Sequence, residues 1–125
     1  MKALILAAGE GTRLRPYSLD RPKCLVEVDG VSLLDRQLSV LRSEGVADIS
    51  LIGGYRSDML KRPGLRLEMN PRYAETNMVW TLFSAEQALQ GDLVLAYGDP
   101  CAILCQFAFA LPTTTNWYVT VCARF

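Results

Sequence analysis

The strongest constraint in the sequence is a short apolar segment that ends abruptly in glycine. Residues 3–8 (ALILAA) are long enough for one buried strand, and Gly9 and Gly11 follow at once. Glycine allows positive φ angles, and it lets backbone N–H groups approach a ligand that a Cβ would obstruct. A phosphate is the natural occupant of such a loop. The segment therefore predicts a strand followed by an anion-binding loop.

Three kinds of phosphate-binding loop begin with glycines after a strand. A dinucleotide-binding fingerprint would use Asp29 as its acidic residue, but Leu14 occupies the third glycine position. Pro16 and Pro22 also leave no room for the helix that must hold a pyrophosphate. A Walker loop fails because no Gly-Lys-Ser or Gly-Lys-Thr follows. The remaining interpretation is a long loop that clasps a nucleotide.

Short apolar runs alternate with amphipathic segments through the first 99 residues, which is typical of α/β proteins. Strands and helices joined by short loops predict a largely parallel sheet with right-handed crossovers. The five predicted strands are residues 3–8, 25–28, 49–52, 65–69 and 93–97.

Two amphipathic segments predict helices. The first begins at Ser32, which caps it together with Asp35, and it ends at Gly45. The second is predicted from about residue 77 to residue 90, with Gly91 as its stop. Its inward face is expected to consist of Val79, Leu82, Phe83 and Leu89.

Charge and composition exclude several classes of function. Thirteen Lys and Arg residues balance thirteen Asp and Glu residues, so binding of nucleic acid by bulk electrostatics is disfavoured. The sequence has no histidine and no Cys-x-x-Cys pair, which excludes a zinc site and a histidine-dependent triad. No apolar stretch reaches the roughly 18 residues of a membrane span. We expect a cytoplasmic protein without membrane or nucleic-acid partners.

The character of the sequence changes after residue 99. Residues 100–125 contain three of the four cysteines but only one charged residue, Arg124. Two interpretations remain open: a C-terminal pair of apolar strands, or a segment that is not the natural continuation of the domain because of truncation or a shifted reading frame. The chain is therefore divided into residues 1–99, the N-terminal part of a nucleotide-binding domain, and an atypical apolar tail, residues 100–125.

The loop after the first strand resembles the signature of the nucleotidyltransferases that join a nucleoside monophosphate to a sugar 1-phosphate or to phosphocholine. The resemblance extends through the Gly-Tyr pair at residues 54–55 to the Tyr-Gly-Asp at residues 97–99. It implies the three-layer Rossmann-like fold of the nucleotide-diphospho-sugar transferases, here expected to be incomplete. The signature is matched in order and spacing by Leu6, Ala7, Ala8, Gly9, Gly11, Thr12, Arg13, Pro16, Pro22 and Lys23.

The resemblance also implies roles for individual residues. Arg13 is implied to grip the triphosphate, and its planar guanidinium suits two phosphate oxygens at once. Lys23, held behind Pro22, is implied to neutralise the phosphate at which bonds change. Both are predicted catalytic residues; the alternative for either is a solvated surface cation, the favoured interpretation for Arg15 and Arg21. The implied nucleotide-binding set is Leu6, Ala8, Gly9, Gly11, Thr12, Arg13, Lys23 and Asn77.

Asp99 follows the 93–97 strand at its carboxyl end, where open α/β sheets bind their ligands. The resemblance implies that it holds the Mg²⁺ that accompanies a nucleoside triphosphate. The alternative is an aspartate in a turn before Pro100. The family normally supplies a second metal carboxylate downstream, and no Asp or Glu follows Asp99 in this sequence.

The acceptor is less strongly indicated. The segment NPRYAETNMVWTLFSA (residues 70–85) looks more like the phosphocholine branch of the family than the hexose branch. CTP is therefore favoured, with UTP or dTTP as alternatives if the acceptor is a sugar 1-phosphate. Tyr73 and Trp80 could offer ring faces to a quaternary ammonium, a contact worth roughly 0.5 to 2 kcal/mol. For Trp80, however, core packing is the favoured role.

Two functions follow from this pattern. In the first, an acceptor phosphate attacks the α-phosphorus of a nucleoside triphosphate and pyrophosphate leaves, a reaction that requires no nucleophile from the protein. In the second, the chain is a catalytically inactive nucleotide-binding module or an incomplete fragment of such an enzyme.

Overall fold

The computed structural model describes residues 1–89, 91–98 and 117–119. In chain order, the strands and α-helices are β1 (Lys2–Ala7), β2 (Glu27–Val28), β3 (Val31–Ser32), α1 (Leu33–Ser43), β4 (Asp48–Gly53), β5 (Leu65–Met69), α2 (Met78–Phe83), β6 (Leu93–Tyr97) and β7 (Trp117–Val119). Five strands form one sheet in the order β5-β4-β1-β6-β7, and every neighbouring pair is parallel.

The sheet has a buried layer on each face. Successive residues of a strand point to opposite faces, so β1 contributes to both layers. Ala3 and Ile5 pack on the side covered by α1, whereas Leu4 and Leu6 pack against the segment that follows α2. Both faces of a parallel sheet are covered in this way in α/β proteins. The predicted α/β class with a mostly parallel sheet is confirmed.

Helix α1 begins and ends where the sequence predicts. The Ser32 hydroxyl accepts a hydrogen bond from the Asp35 backbone N–H at 3.0 Å, which satisfies one of the free donors of the first turn. At the other end, Gly45 has a φ of 80°, a conformation that glycine adopts without strain and that ends the helix.

The predicted strand at residues 25–28 is only partly correct. A 3₁₀ turn occupies Lys23–Leu25, and only β2 is extended, paired with β3 in a two-stranded hairpin outside the main sheet. The reason lies in the burial of consecutive side chains: Cys24 and Leu25 both face the core, whereas a strand would send them to opposite faces.

The single long helix predicted over residues 77–90 is also wrong in part. Helix α2 ends at Phe83, and a separate 3₁₀ turn covers Glu86–Leu89. Val79 and Phe83, predicted to face inward, are 58% and 60% exposed. The other two residues of the predicted inward face, Leu82 and Leu89, do pack against the core, beside the buried residues Thr81, Ala85 and Ala88.

The order of the strands places a crevice beside β1. The chain runs from β1 outward through β4 and β5 on one side, and then returns to β6 on the other side of β1. In open α/β sheets, ligands bind at the carboxyl ends of the strands where this reversal occurs. None of the helices among the described residues is both long and apolar enough to span a membrane.

The two interpretations of the tail concern residues that lie almost wholly outside the described part of the chain. Within residues 100–125 the structure describes only β7, whose backbone pairs with β6.

Candidate functional site

A cavity of about 180 Å³ opens at the carboxyl ends of β1 and β6. The two strand ends approach closely there, because the Gly98 N–H donates to the Leu6 carbonyl at 2.8 Å. A Cβ on Gly98 would lie 2.8 Å from the Cβ of Ala7, so only glycine fits. The cavity is lined by Leu6, Ala8, Gly9, Lys23, Tyr73, Thr76, Asn77, Met78, Thr81 and Tyr97.

Five of the predicted nucleotide-binding residues share this cavity although they come from distant parts of the chain: Leu6, Ala8, Gly9, Lys23 and Asn77. The backbone at Gly9 is open, because a Cβ built there meets no atom within 4 Å. A ligand can therefore contact the backbone directly at the end of β1.

Gly11, Thr12 and Arg13 do not line the cavity. They belong to the signature loop, defined here as residues 9–23, which continues from the cavity edge. Gly11 has a φ of 68° and precedes a short 3₁₀ turn over Thr12–Leu14. The Ser18 hydroxyl donates to the Gly11 carbonyl at 2.7 Å, which folds the loop back on itself.

The cations of the signature loop differ in their surroundings. Arg15 lies 3.5 Å from Glu10, and Arg21 donates to Asp20 at 3.0 Å. The Arg21 hydrogen bond lowers the pKa of Asp20, and Asp20 in turn raises the pKa of Arg21. Arg13, by contrast, is exposed and forms no ion pair with any residue that the structure describes. Its charge is available to an anion.

Lys23 enters the cavity from the end of the signature loop. Its neighbour Cys24 is 1% exposed and anchors this end of the loop in the core. Burial raises the pKa of the Cys24 thiol to about 12. The anchor keeps the lysine stem in place beside Gly11.

One wall of the cavity is organised by a buried asparagine at the end of β5. The Asn70 side-chain amide donates to the Thr76 and Thr81 hydroxyls at 3.0 and 2.9 Å, and its oxygen accepts from the Arg72 backbone at 3.0 Å. Asn70 is 4% exposed, and its bond to Thr81 is buried, whereas the other two are part-buried. They join the loop of residues 70–77 to α2.

Asn77 caps α2, since its Oδ1 accepts from the Trp80 backbone N–H at 3.1 Å. Among the described residues, no hydrogen bond engages its amide nitrogen, which keeps both donors for a ligand. The structure thus gives Asn77 a local structural role and also places it at the cavity.

Trp80 is neither a core residue nor a lining residue. It is 59% exposed, and the Arg72 guanidinium carbon lies 6.0 Å from its ring centroid. The favoured prediction of core packing is wrong, because α2 turns Thr81 and Leu82 inward and leaves Trp80 at the surface. Tyr73, the other predicted aromatic, does line the cavity.

Four lining residues are not among those that the sequence predicts, namely Thr76, Met78, Thr81 and Tyr97. Tyr97 could have been found from its position at the carboxyl end of a predicted strand beside β1. The other three carry no such signal, because their place depends on how the 70–77 loop folds.

The predicted metal ligand Asp99 lies outside the described residues. Within the described part of the chain, no group of three or more carboxylate or cysteine side chains could hold a metal ion. The magnesium site stays a prediction of the sequence.

Comparison with known proteins gives consistent matches over most of the chain. A family model for the MobA-like NTP transferase domain matches residues 3–105. The chain is 37% identical over 110 residues to the CTP:phosphoglutamine cytidylyltransferase of Campylobacter jejuni, covering 79% of this chain and 44% of that protein. It is 41% identical over 99 residues to the choline-phosphate cytidylyltransferase of Streptococcus pneumoniae, covering 76% and 43%.

A solved structure of the CTP:phosphocholine cytidylyltransferase from Streptococcus pneumoniae superposes with a TM-score of 0.75 at 36% identity, covering 85% of this chain and 48% of that chain. The chain therefore spans less than half the length of each of these three proteins.

Proposed function

Because the chain belongs to the MobA-like NTP transferase family, we propose that it binds a nucleoside triphosphate and transfers the nucleoside monophosphate to a phosphate-bearing acceptor. A phosphate oxygen of the acceptor attacks the α-phosphorus. The bond from that phosphorus to the oxygen bridging the α- and β-phosphates breaks, and pyrophosphate leaves with the electron pair. No protein nucleophile is needed, so the chain contributes by positioning and by charge.

This proposal rests mainly on one observation, which is that Gly9, Lys23 and Asn77 all line the same cavity. An exposed backbone, a cation and an amide are the groups that a nucleotide requires for its phosphates and polar edges. These residues are 14 and 54 positions apart in sequence (23 − 9 and 77 − 23), so the fold alone brings them together.

We assign the triphosphate to the signature loop. Lys23 supplies a point charge at the cavity, close to where the α-phosphate would lie. Arg13 provides a planar fork of donors that can bind two phosphate oxygens at once. Negative charge spreads over the phosphate oxygens during transfer, and two fixed cations would stabilise it. Gly11 and Thr12 complete this loop as backbone contacts.

We assign the base and ribose to the cavity between Leu6, Ala8 and the 70–77 loop. Asn77 would offer amide donors to the nucleotide. CTP is the favoured nucleotide because both relatives are named as cytidylyltransferases. UTP and dTTP are the alternatives.

The relatives' names also favour an acceptor that carries a phosphate on a nitrogen-containing compound, such as phosphocholine, over a sugar 1-phosphate. Tyr73 supports this choice, since it lines the cavity and an aromatic ring there would attract a quaternary ammonium. Mg²⁺, with Asp99 as its predicted ligand, would offset the charge of the triphosphate when bound.

A nucleotide-binding module without turnover is the second candidate. It is favoured by the fact that this chain covers only 44% and 43% of the lengths of the two relatives. The signature loop would then bind nucleotide without an acceptor site.

The test is pyrophosphate release by the purified chain with Mg²⁺. Each nucleoside triphosphate is offered with phosphocholine and, separately, with glucose 1-phosphate. We expect release with CTP and phosphocholine, and its loss in Lys23→Ala but not in Lys61→Ala, an exposed lysine outside the signature loop. Nucleotide binding without release in any pair would favour the module. Absence of both binding and release would contradict the proposed function.

A further inference from the structure

We propose that Tyr55 is a positioning residue that fixes both ends of the signature loop and joins the loop to the wall of the cavity. The inference rests on the proposed function, in that the signature loop is taken as the element that binds the nucleotide. Tyr55 itself does not line the cavity.

Tyr55 contacts the residue directly before the signature loop and, near the loop's other end, the loop itself. Its backbone N–H donates to the carbonyl of Ala8, directly before the loop, at 3.1 Å. Its side-chain hydroxyl donates to the carbonyl of Leu19, near the other end of the loop, at 3.0 Å. One residue thus spans the base of a segment in which Thr12, Arg13 and Leu14 are exposed.

The next residue, Arg56, adds a further hydrogen bond to the signature loop. Arg56 has a φ of 45°, and its guanidinium donates to the Asp20 carbonyl at 2.9 Å. Leu19 and Asp20 lie just before the Pro22-Lys23 pair. The two side-chain bonds therefore fix the part of the loop that delivers Lys23 to the cavity.

Tyr55 also contacts the 70–77 loop, which forms one wall of the cavity. Its ring packs edge-on against the ring of Tyr73, with centroids 6.5 Å apart. The chain approaches closely at this point, because a Cβ on Gly54 would lie 2.5 Å from the Cβ of Tyr73 and 2.8 Å from the Ala8 carbonyl oxygen. The end of β1, the turn after β4 and the 70–77 loop are thus in direct contact at Gly54.

This arrangement would lower the cost of nucleotide binding. A loop of this length otherwise loses conformational freedom when it closes on a ligand, and a loop that is already ordered loses less. The hydroxyl of Tyr55 is well placed to keep the loop ordered, and it can be removed without changing the ring that contacts Tyr73.

The test compares Tyr55→Phe with Ser43→Ala. The control also loses one exposed side-chain bond to a backbone carbonyl, from Ser43 to Val40 at 2.8 Å, but at the far end of α1. Loop opening is measured by limited trypsin digestion with mapping of the cleaved bonds. Within the signature loop trypsin can cut after Arg13 and, at the loop's end, after Lys23, whereas Arg15 and Arg21 are followed by proline and resist cleavage.

We expect Tyr55→Phe to be cut after Arg13 about three to ten times faster than the wild type, which is the effect of losing one hydrogen bond of ordinary strength. CTP affinity should fall by a similar factor, whereas Ser43→Ala should match the wild type in both measurements. Cleavage elsewhere, for example after Arg66, should be unchanged in both variants.

Wild-type cleavage after Arg13 in Tyr55→Phe would overturn the inference. If the wild-type chain bound no nucleotide, the proposed function would fail, but the digestion would still decide the role of Tyr55. Should Tyr55→Phe lose its cooperative unfolding, Arg56→Gly decides instead, since glycine tolerates the positive φ and the substitution deletes the bond to the Asp20 carbonyl together with the charge that Arg56 places near the Asp20 carboxylate. Its loop should open in the same way, and unchanged cleavage would again overturn the inference.

Discussion

Gly11 lies against the stem of Lys23 so closely that a Cβ on the glycine would be 2.5 Å from the lysine Cβ. The glycine is therefore required for two reasons, its φ of 68° and the space taken by Lys23. The contact ties the start of the signature loop to its end. The position of the proposed catalytic lysine thus depends on a residue 12 positions earlier (23 − 11).

Gly11→Ala should destabilise the chain by about 1 to 3 kcal/mol, because the new methyl group meets a fixed side chain and the φ angle is strained. Gly9→Ala is the matched control for stability. Its Cβ position is open and its φ is outside the left-handed region, so its free energy of unfolding should stay within about 0.5 kcal/mol of the wild type. Urea denaturation measures both. Equal stability of the two variants would contradict the close contact.

Cys24 should resist alkylation in the folded chain. Burial raises the pKa of its thiol to about 12, so the reactive thiolate is scarce at pH 8, and the sulfur is also shielded from solvent. We expect iodoacetamide to modify Cys24 more than about a hundredfold more slowly in the native state than in guanidinium chloride. Mass spectrometry of the Cys24 peptide gives both rates. Comparable rates would show that this end of the signature loop is not anchored in the core.

Asp35 should stabilise the fold in a pH-dependent way. Its hydrogen bond with Arg62, at 2.9 Å, is the main cause that holds its pKa below the ordinary value, assisted by the Ser32 hydroxyl. A lowered folded-state pKa contributes stability above the unfolded-state pKa, and this contribution disappears as pH falls through the folded-state value. The side chain is 42% exposed, so screening limits the effect to about 1 kcal/mol at neutral pH.

Asp35→Asn tests this directly. The difference in free energy of unfolding between the wild type and this variant should be largest near pH 7 and should shrink below about pH 4. Asp58→Asn, at an exposed aspartate, serves as the control. A difference that stays constant from pH 7 to pH 3 would rule out the Arg62 bond as its cause.

Asn70 and Asn77 should differ in their contribution to stability. Asn70→Ala removes three buried or part-buried hydrogen bonds and leaves the Thr81 hydroxyl without its donor, which should cost about 2 to 3 kcal/mol. Asn77→Ala removes one exposed cap, which should cost about 1 kcal/mol. Thermal and urea unfolding would show which of the two substitutions lowers the stability more. A larger cost for Asn77 would contradict the assigned network.

Much of this fold follows from local sequence signals. The apolar runs predict β5 and β6 with their observed bounds, and Ser32 and Gly45 mark the ends of α1 through their own backbone chemistry. Such signals act over a few residues, and they can therefore be interpreted without knowledge of the rest of the chain.

The errors occur where distant contacts decide the structure. The bond from Asn70 to Thr81 and the burial of Ala85 and Ala88 just after α2 orient this segment so that Val79 and Phe83 are exposed, although Leu82 packs inward as predicted. Amphipathic spacing cannot reveal such a choice. The lining residues Thr76 and Thr81 were missed for the same reason, whereas Leu6, Gly9 and Lys23 were identified from the signature alone.

If the signature loop binds a nucleoside triphosphate through Arg13, calorimetric titration of CTP with Mg²⁺ will detect the loss of that side chain. Arg66→Ala is the control, because Arg66 is an exposed arginine on β5 that lies 3.8 Å from Asp48. We predict that Arg13→Ala weakens CTP binding at least tenfold, as expected for the loss of a bidentate contact between guanidinium and phosphate, whereas Arg66→Ala binds like the wild type. Wild-type affinity in Arg13→Ala would contradict the assignment of the loop.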